Sequence, residues 1–244
     1  MRVFKTGFTL AETLVALAII GVVASMTIPQ VVQNTQKNQA GIVLARAVEQ
    51  IETGCQNMIQ KANDNISIAE GGYFEGIYGL TTKEVFGSGN AKLYGESMFK
   101  NGKAFFGITP IQDSATYLNS IKDFSGDTLS LSHGADEVYS LNKQKALLIP
   151  VDAEMPDAEY DAICSVVMID VNGTAKPNRG GKDIFVFGVT NSGKLIPKGS
   201  KKYNNDHSNS SGTVYTNTCN ETTVTTGWDC AAKVVKDGFK ITYY

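Results

Sequence analysis

The hydrophobic pattern changes character twice along this chain. From Phe8 to Ile28 the residues are almost wholly apolar, and Glu12 is the only charge among them. About 20 helical residues cross a bilayer core, so this run is long enough to be a transmembrane segment. After Pro29 polar residues return, but a helical period continues. Leu44, Val48, Ile51, Cys55 and Met58 recur at steps of four and three. That spacing gathers one apolar stripe on a helix. Gln36, Lys37, Gln39, Arg46, Glu49, Gln50 and Glu52 fall elsewhere around it. Because the period resumes beyond Pro29, the proline is expected to kink the helix rather than end it. The pattern predicts one long helix over residues 8–62, with a membrane half (8–28) and an amphipathic half (29–62) laid on a core.

Beyond residue 63 the apolar runs shorten and glycines become frequent. Ile163–Val171 and Ile184–Val189 are rich in β-branched and aromatic residues and read as strands. Turn-forming residues suggest hairpins around Asn142-Lys143 and Asn191-Ser192-Gly193. Asp113 can cap a short helix through Tyr117, Leu118 and Ile121. Residues 203–227 are dense in Asn, Ser and Thr and read as a long surface loop. One long helix followed by a strand-rich segment gives an α+β class, the helix packed on an antiparallel β-rich head over 63–244.

Composition narrows the function. The formal net charge is −2, too small for a general nucleic-acid or membrane-surface binder. Cys55, Cys164, Cys219 and Cys230 form no CxxC pair, and His133 and His207 are the only histidines, which argues against a zinc site. An even number of widely spaced cysteines fits disulfides in an oxidising compartment. The polar, turn-prone stretch between Cys219 and Cys230 holds little apolar surface of its own, so these two are expected to be bridged. Cys55 and Cys164 are left either to pair or to stay as buried thiols. A membrane-anchored periplasmic enzyme is the reading from another class. It lacks a Gly-x-Ser-x-Gly elbow, a His-Glu-x-x-His pair and a phosphate loop. Acidic residues cluster at Asp152, Glu154, Asp157, Glu159 and Asp161. A basic run follows, with Lys176, Arg179, Lys182, Lys194, Lys198, Lys201 and Lys202. Such a run can meet DNA phosphates, but no interleaved aromatics support base stacking. A solvated surface is the preferred reading, and a nucleic-acid partner is not expected.

The first residues are the most informative. Arg2 and Lys5 precede the apolar run and would stay cytoplasmic. A secretory signal cut near Val23-Ala24-Ser25 leaves Glu12 unexplained, and so does a plain anchor. An acid at a bilayer centre costs about 2.5–3.5 kcal/mol on insertion scales, and less near a helix start. The stretch Lys5-Thr6-Gly7-Phe8-Thr9-Leu10-Ala11-Glu12 resembles the class III leader of type IV pilins and type II secretion pseudopilins. The resemblance implies that residues 1–7 are a leader. A prepilin peptidase would cut between Gly7 and Phe8 and methylate the new Phe8 amine. Glu12 would then pair with the Phe8 amine of a neighbouring subunit, and Pro29 would sit where many pilins carry a helix-kinking proline. The implied partners are other pilin or pseudopilin subunits, the peptidase, an inner-membrane assembly platform and the lipid bilayer.

The resemblance extends to the far end of the chain. Segments from Ile169 to Pro197, and the ending from Cys230 to Tyr243, look like the carboxy-terminal part of many pseudopilins. Residues 70–150 match nothing nameable and read as a lineage-specific expansion. Major pseudopilins bind calcium, and Asp170, Asn172, Asn178 and Asp183 supply oxygens in one glycine-rich region. Calcium takes six to eight oxygens, more than these side chains offer, so a turn closed by capping acids is the preferred reading. The expected function is that of a structural subunit, a pseudopilin or minor pilin. A DNA-uptake pilin using the basic 176–202 region is the alternative.

Overall fold

The structure is a computed structural model that describes residues 9–65, 98–100, 102–128, 137–141, 145–151, 163–190, 192–203, 219 and 227–243. Side chains are described throughout these ranges except at 59–65 and 164. The chain divides into two compact units, Met1–Gln39 and Ala40–Tyr244. Helix α1 runs Leu10–Asn65 with Pro29 inside it. In the first unit its large apolar residues from Leu10 to Ile28 are exposed. Among the described residues this is the one helix long and apolar enough to cross a membrane, by length and composition.

The second unit is an α+β head. Its sheet has six strands in simple sequence order: β1 (Ile108–Pro110), β2 (Tyr139–Leu141), β3 (Ala146–Val151), β4 (Ile163–Asp170), β5 (Ile184–Thr190) and β6 (Leu195–Pro197). Every neighbouring pair is antiparallel. The expected strands therefore exist, as β4 and β5. The expected hairpin positions join β2 to β3 and β5 to β6, although residues 142–144 and 191 themselves lie outside the described set. Residues 70–150 are more than an appended expansion, since β1, β2 and most of β3 come from that stretch.

β4 and β5 read as nearly unbroken apolar runs because both faces of the sheet are covered. Alternate residues Val167, Ile169, Phe185, Phe187 and Val189 join Leu148 in a core with Leu44, Ala47, Ile51, Cys55 and Met58 of α1. The stripe seen in the sequence is thus the inner face of the helix. The intervening residues Val166, Met168, Ile184 and Val186 join Leu147 and Ile149 in a second core. That core is closed by Tyr117, Ile121 and Tyr203, with Leu118 and Trp228 packed against it. Burial on two sides removes the in/out polarity that normally marks an antiparallel strand. The polar flank of α1 is also used. Gln50 Nε2 donates to the Phe106 carbonyl at 2.6 Å, Gln56 Nε2 to the Ser192 carbonyl at 2.6 Å, and Glu52 Oε1 accepts from the Leu195 amide at 2.9 Å.

Short helices among the described residues complete the head. Helix α2 (Lys103–Phe106) buries Phe106 beside Phe99, their ring centroids 4.7 Å apart. Helix α3 (Ser114–Leu118) begins at Asp113, whose carboxylate accepts from the Thr116 amide as the capping argument requires, and it stops before Ile121. Helix α4 (Cys230–Lys236) places Ala231 and Val234 in the first core. The chain after α4 returns to α1, where a Cβ added at Gly41 would run into the Phe239 carbonyl. Glycine at 41 is what permits that approach.

Candidate functional site

Two groups of residues singled out in the sequence occupy defined places, one in each unit. The first lies at the start of α1. Gly7 and Phe8 lie outside the described residues. Thr9 immediately precedes the helix and Glu12 is its third residue. The Thr9 amide and hydroxyl both donate to Glu12 Oε2 at 2.8 Å, and the Glu12 amide donates back to Thr9 Oγ1 at 3.3 Å. This is a capping box, in which two otherwise orphaned amides at a helix start are satisfied reciprocally. Both incoming bonds reach the same carboxylate oxygen. Ala11, Val15, Ala16 and Ile19 line a shallow apolar hollow with Glu12. The local role of Thr9 is legible in the spacing Thr9-x-x-Glu12 ahead of an apolar run, a signal separate from the apolar periodicity itself.

The second group is the turn between β4 and β5. Asp170, Asn172, Asn178 and Asp183, far apart in spacing, meet there. Asp170 and Asp183 are almost completely buried. Asp170 accepts the hydroxyl of Tyr117 on one oxygen and the Asn172 amide at 2.9 Å on the other. Asp183 accepts the Asn178 amide at 2.7 Å, the Arg179 amide at 2.5 Å and the Asn172 side-chain amide at 2.9 Å. The Asn178 side chain donates to Ser120 Oγ at 2.7 Å. In the sequence Tyr117 is marked only as a member of the short helix that Asp113 can cap. A buried tyrosine hydroxyl must find a partner, but nothing in the sequence names Asp170 as that partner.

Electrostatics distinguishes the two acids. Burial, reinforced by the neighbouring Asp183, pushes Asp170 up to about 8. Burial also raises Asp183, against the opposing pull of its amide donors. Burial and the Asp170 charge raise the Tyr117 hydroxyl still further, so it remains a neutral donor. Burial thus favours the protonated form of both acids in this desolvated turn, and the amide and hydroxyl donors oppose it.

The calcium suggested by the resemblance can be tested against these contacts. Each of the four carboxylate oxygens already accepts an N–H or O–H donor. Asn172 turns its NH₂ toward Asp183, where a cation would require its oxygen. Asn172 Oδ1 and Asn178 Oδ1 are buried without a partner among the described residues, and they are too few for a site needing six to eight oxygens. The set as arranged does not fit calcium. It fits the capped turn, with Gly173 and Gly181 at φ 70° and 75°.

The residues of the basic run differ in their surroundings. Lys182 Nζ lies 4.8 Å from the centroid of the Phe124 ring. Lys198 is half-buried, and burial holds it below the ordinary lysine range despite the opposing pull of Asp229. Arg179 Nε is buried, while Lys176, Lys194 and Lys201 are exposed. The acidic cluster at 152–161, and both histidines, lie outside the described residues.

Cys219 and Cys230 are bridged, with their Cα atoms 5.1 Å apart. Both are buried beside Phe124, with Tyr243 packed against them. Cys219 is thus tied into the head interior, whereas 204–218 and 220–226 of the expected surface loop lie outside the described residues. In the chain-entropy model, closing a loop of this size removes on the order of 3 kcal/mol of unfolded-state entropy. Cys55 is buried on the inner face of α1.

Residues 4–28 match the prokaryotic N-terminal methylation motif. The chain carries a type IV pilin-like prepilin leader. The match covers Gly7, Phe8, Thr9 and Glu12, and it ends one residue before Pro29. No curated protein and no solved structure shows a significant match to the chain. With a leader of this kind, the exposed apolar start of α1 fits membrane anchoring. The motif implies processing by a prepilin peptidase and assembly with other pilin subunits, and it points to a structural subunit.

Proposed function

We propose that this prepilin-type chain is the precursor of a filament subunit, either a pseudopilin of a type II secretion machine or a minor type IV pilin. Peptidase cleavage after Gly7 frees the Phe8 amine, which is then methylated. The leader faces the cytoplasm, residues 8–28 cross the inner membrane, and the head lies on the far side. The observation that carries this reading is the motif over residues 4–28, placed on an exposed apolar helix whose start holds one carboxylate. In the assembled filament Glu12 meets the amine of the neighbouring Phe8, an ion pair that sets the register between subunits. Growth at the membrane then pushes the heads outward.

Amino-terminal mass spectrometry of the membrane-extracted protein tests the first step. The expected mature chain begins at a methylated Phe8. A chain beginning near Met26 would identify a cleaved secretory signal and remove the anchor.

A further inference from the structure

The β4–β5 turn joins the two longest strands of the sheet, and it also holds the second layer in place. Asp170 ends β4 while Tyr117 belongs to α3, 53 positions earlier in the chain. Their hydrogen bond ties the cover of the outer sheet face to the end of a central strand. Asn172 then links Asp170 to Asp183 through its main-chain and side-chain nitrogens. Asp183 in turn holds the amides of Asn178 and Arg179. The Asn178 side chain reaches back to Ser120, which follows α3. The result is a closed circuit from α3 to the turn and back, made of hydrogen donors.

We infer that Tyr117 and Asn172 do here the work that a divalent cation would do in an acidic turn, so that the head folds and holds its outer layer without calcium. A cation in such a turn performs two tasks. It neutralises clustered carboxylates, and it pulls distant oxygens together. In this chain the first task falls to hydrogen donors: the Tyr117 hydroxyl and the Asn172 amide on Asp170, and three N–H groups on Asp183. The second falls to Asn172, whose two nitrogens reach both acids at 2.9 Å. No lysine or arginine side chain among the described residues forms an ion pair with either acid. Arg179 contributes its main-chain amide instead, and its guanidinium lies against Gly126, where an added Cβ would meet Nη2 at 2.7 Å.

The test uses the full-length chain in detergent and follows Trp228, the single tryptophan, which packs against the second core. Its fluorescence therefore reports loss of the layer that Tyr117 holds. Melting is compared in excess calcium chloride and in excess chelator. The wild-type curves should superimpose. Tyr117→Phe keeps the ring and removes the donor, and it should melt about 5 °C lower in both conditions. A wild-type melting temperature that rises with calcium would overturn the inference and hand the unpartnered Asn172 and Asn178 oxygens to the ion. A Tyr117→Phe protein melting with the wild type would also overturn it, by showing that the hydroxyl holds nothing. The wild-type comparison decides the matter even if the variant fails to fold. Neither arm depends on leader cleavage, so the filament reading stands or falls separately.

Discussion

At the scale of single residues, Glu12 has a capping use in the structure and a pairing use in the proposed filament, and substitution can separate the two. The capping box is local and needs an acceptor at this position, which Glu and Gln both supply. Pairing with a neighbour's amine needs a charge. Glu12→Gln is therefore expected to preserve helix start and membrane insertion but to fail in filament incorporation. Thr9→Val should do the reverse, losing about 1 kcal/mol of capping while still entering filaments. Co-purification of each variant with assembled subunits measures the difference. Equal incorporation of Glu12→Gln and wild type would remove the pairing role and leave Glu12 as a cap. Both uses were open to sequence reading, one from the isolation of the acid among apolar residues and one from its spacing to Thr9. Tyr117 was not legible in this way. Its partner is 53 positions away, and no local pattern encodes a contact of that range.

At the scale of elements, the β4–β5 turn sets how the head responds to pH. Asp170 has an ordinary value of 3.8 and is raised to about 8 when folded. The folded head thus keeps a proton that the unfolded chain releases. This contribution is complete below about pH 4 and fades as pH rises through about 8. Asp183 is shifted in the same direction. The head should melt several degrees lower at pH 9 than at pH 6, and Asp170→Asn should flatten that slope. Identical slopes in the two proteins would show that the proton sits elsewhere. The strands flanking this turn were legible because Ile163–Asp170 and Ile184–Thr190 are dense in β-branched and aromatic residues. The short strands were not. β1, β2 and β6 have three residues each, too few to show a period, and they are fixed by pairing with neighbours already in place.

At the scale of the whole molecule, the boundary between the two units falls at Ala40, inside α1. The long helix was legible from two different signals, an unbroken apolar run and then a stripe. That change of signal marks the change of surroundings. Every core residue of α1 lies at or beyond Leu44. A fragment starting at Ala40 should accordingly be soluble without detergent and unfold in one cooperative step. Circular dichroism of the fragment checks this, and a fragment that aggregates or shows no sheet would mean that residues before Ala40 are needed for folding. The double-sided burial of the sheet was the part that sequence could not supply, because an apolar run looks the same whether one neighbour covers it or two.

The outermost strands are each three residues long and each ends in proline, Pro110 in β1 and Pro197 in β6. A proline has no amide hydrogen to offer an incoming strand. In the proposed filament, heads crowded side by side would be at high local concentration, the condition under which open sheets fuse into aggregates. Here a neighbouring head finds only a short template with one donor missing on either flank. In the proposed filament, cohesion would thereby be left to the helices, and subunits could be added or withdrawn without their heads becoming locked together.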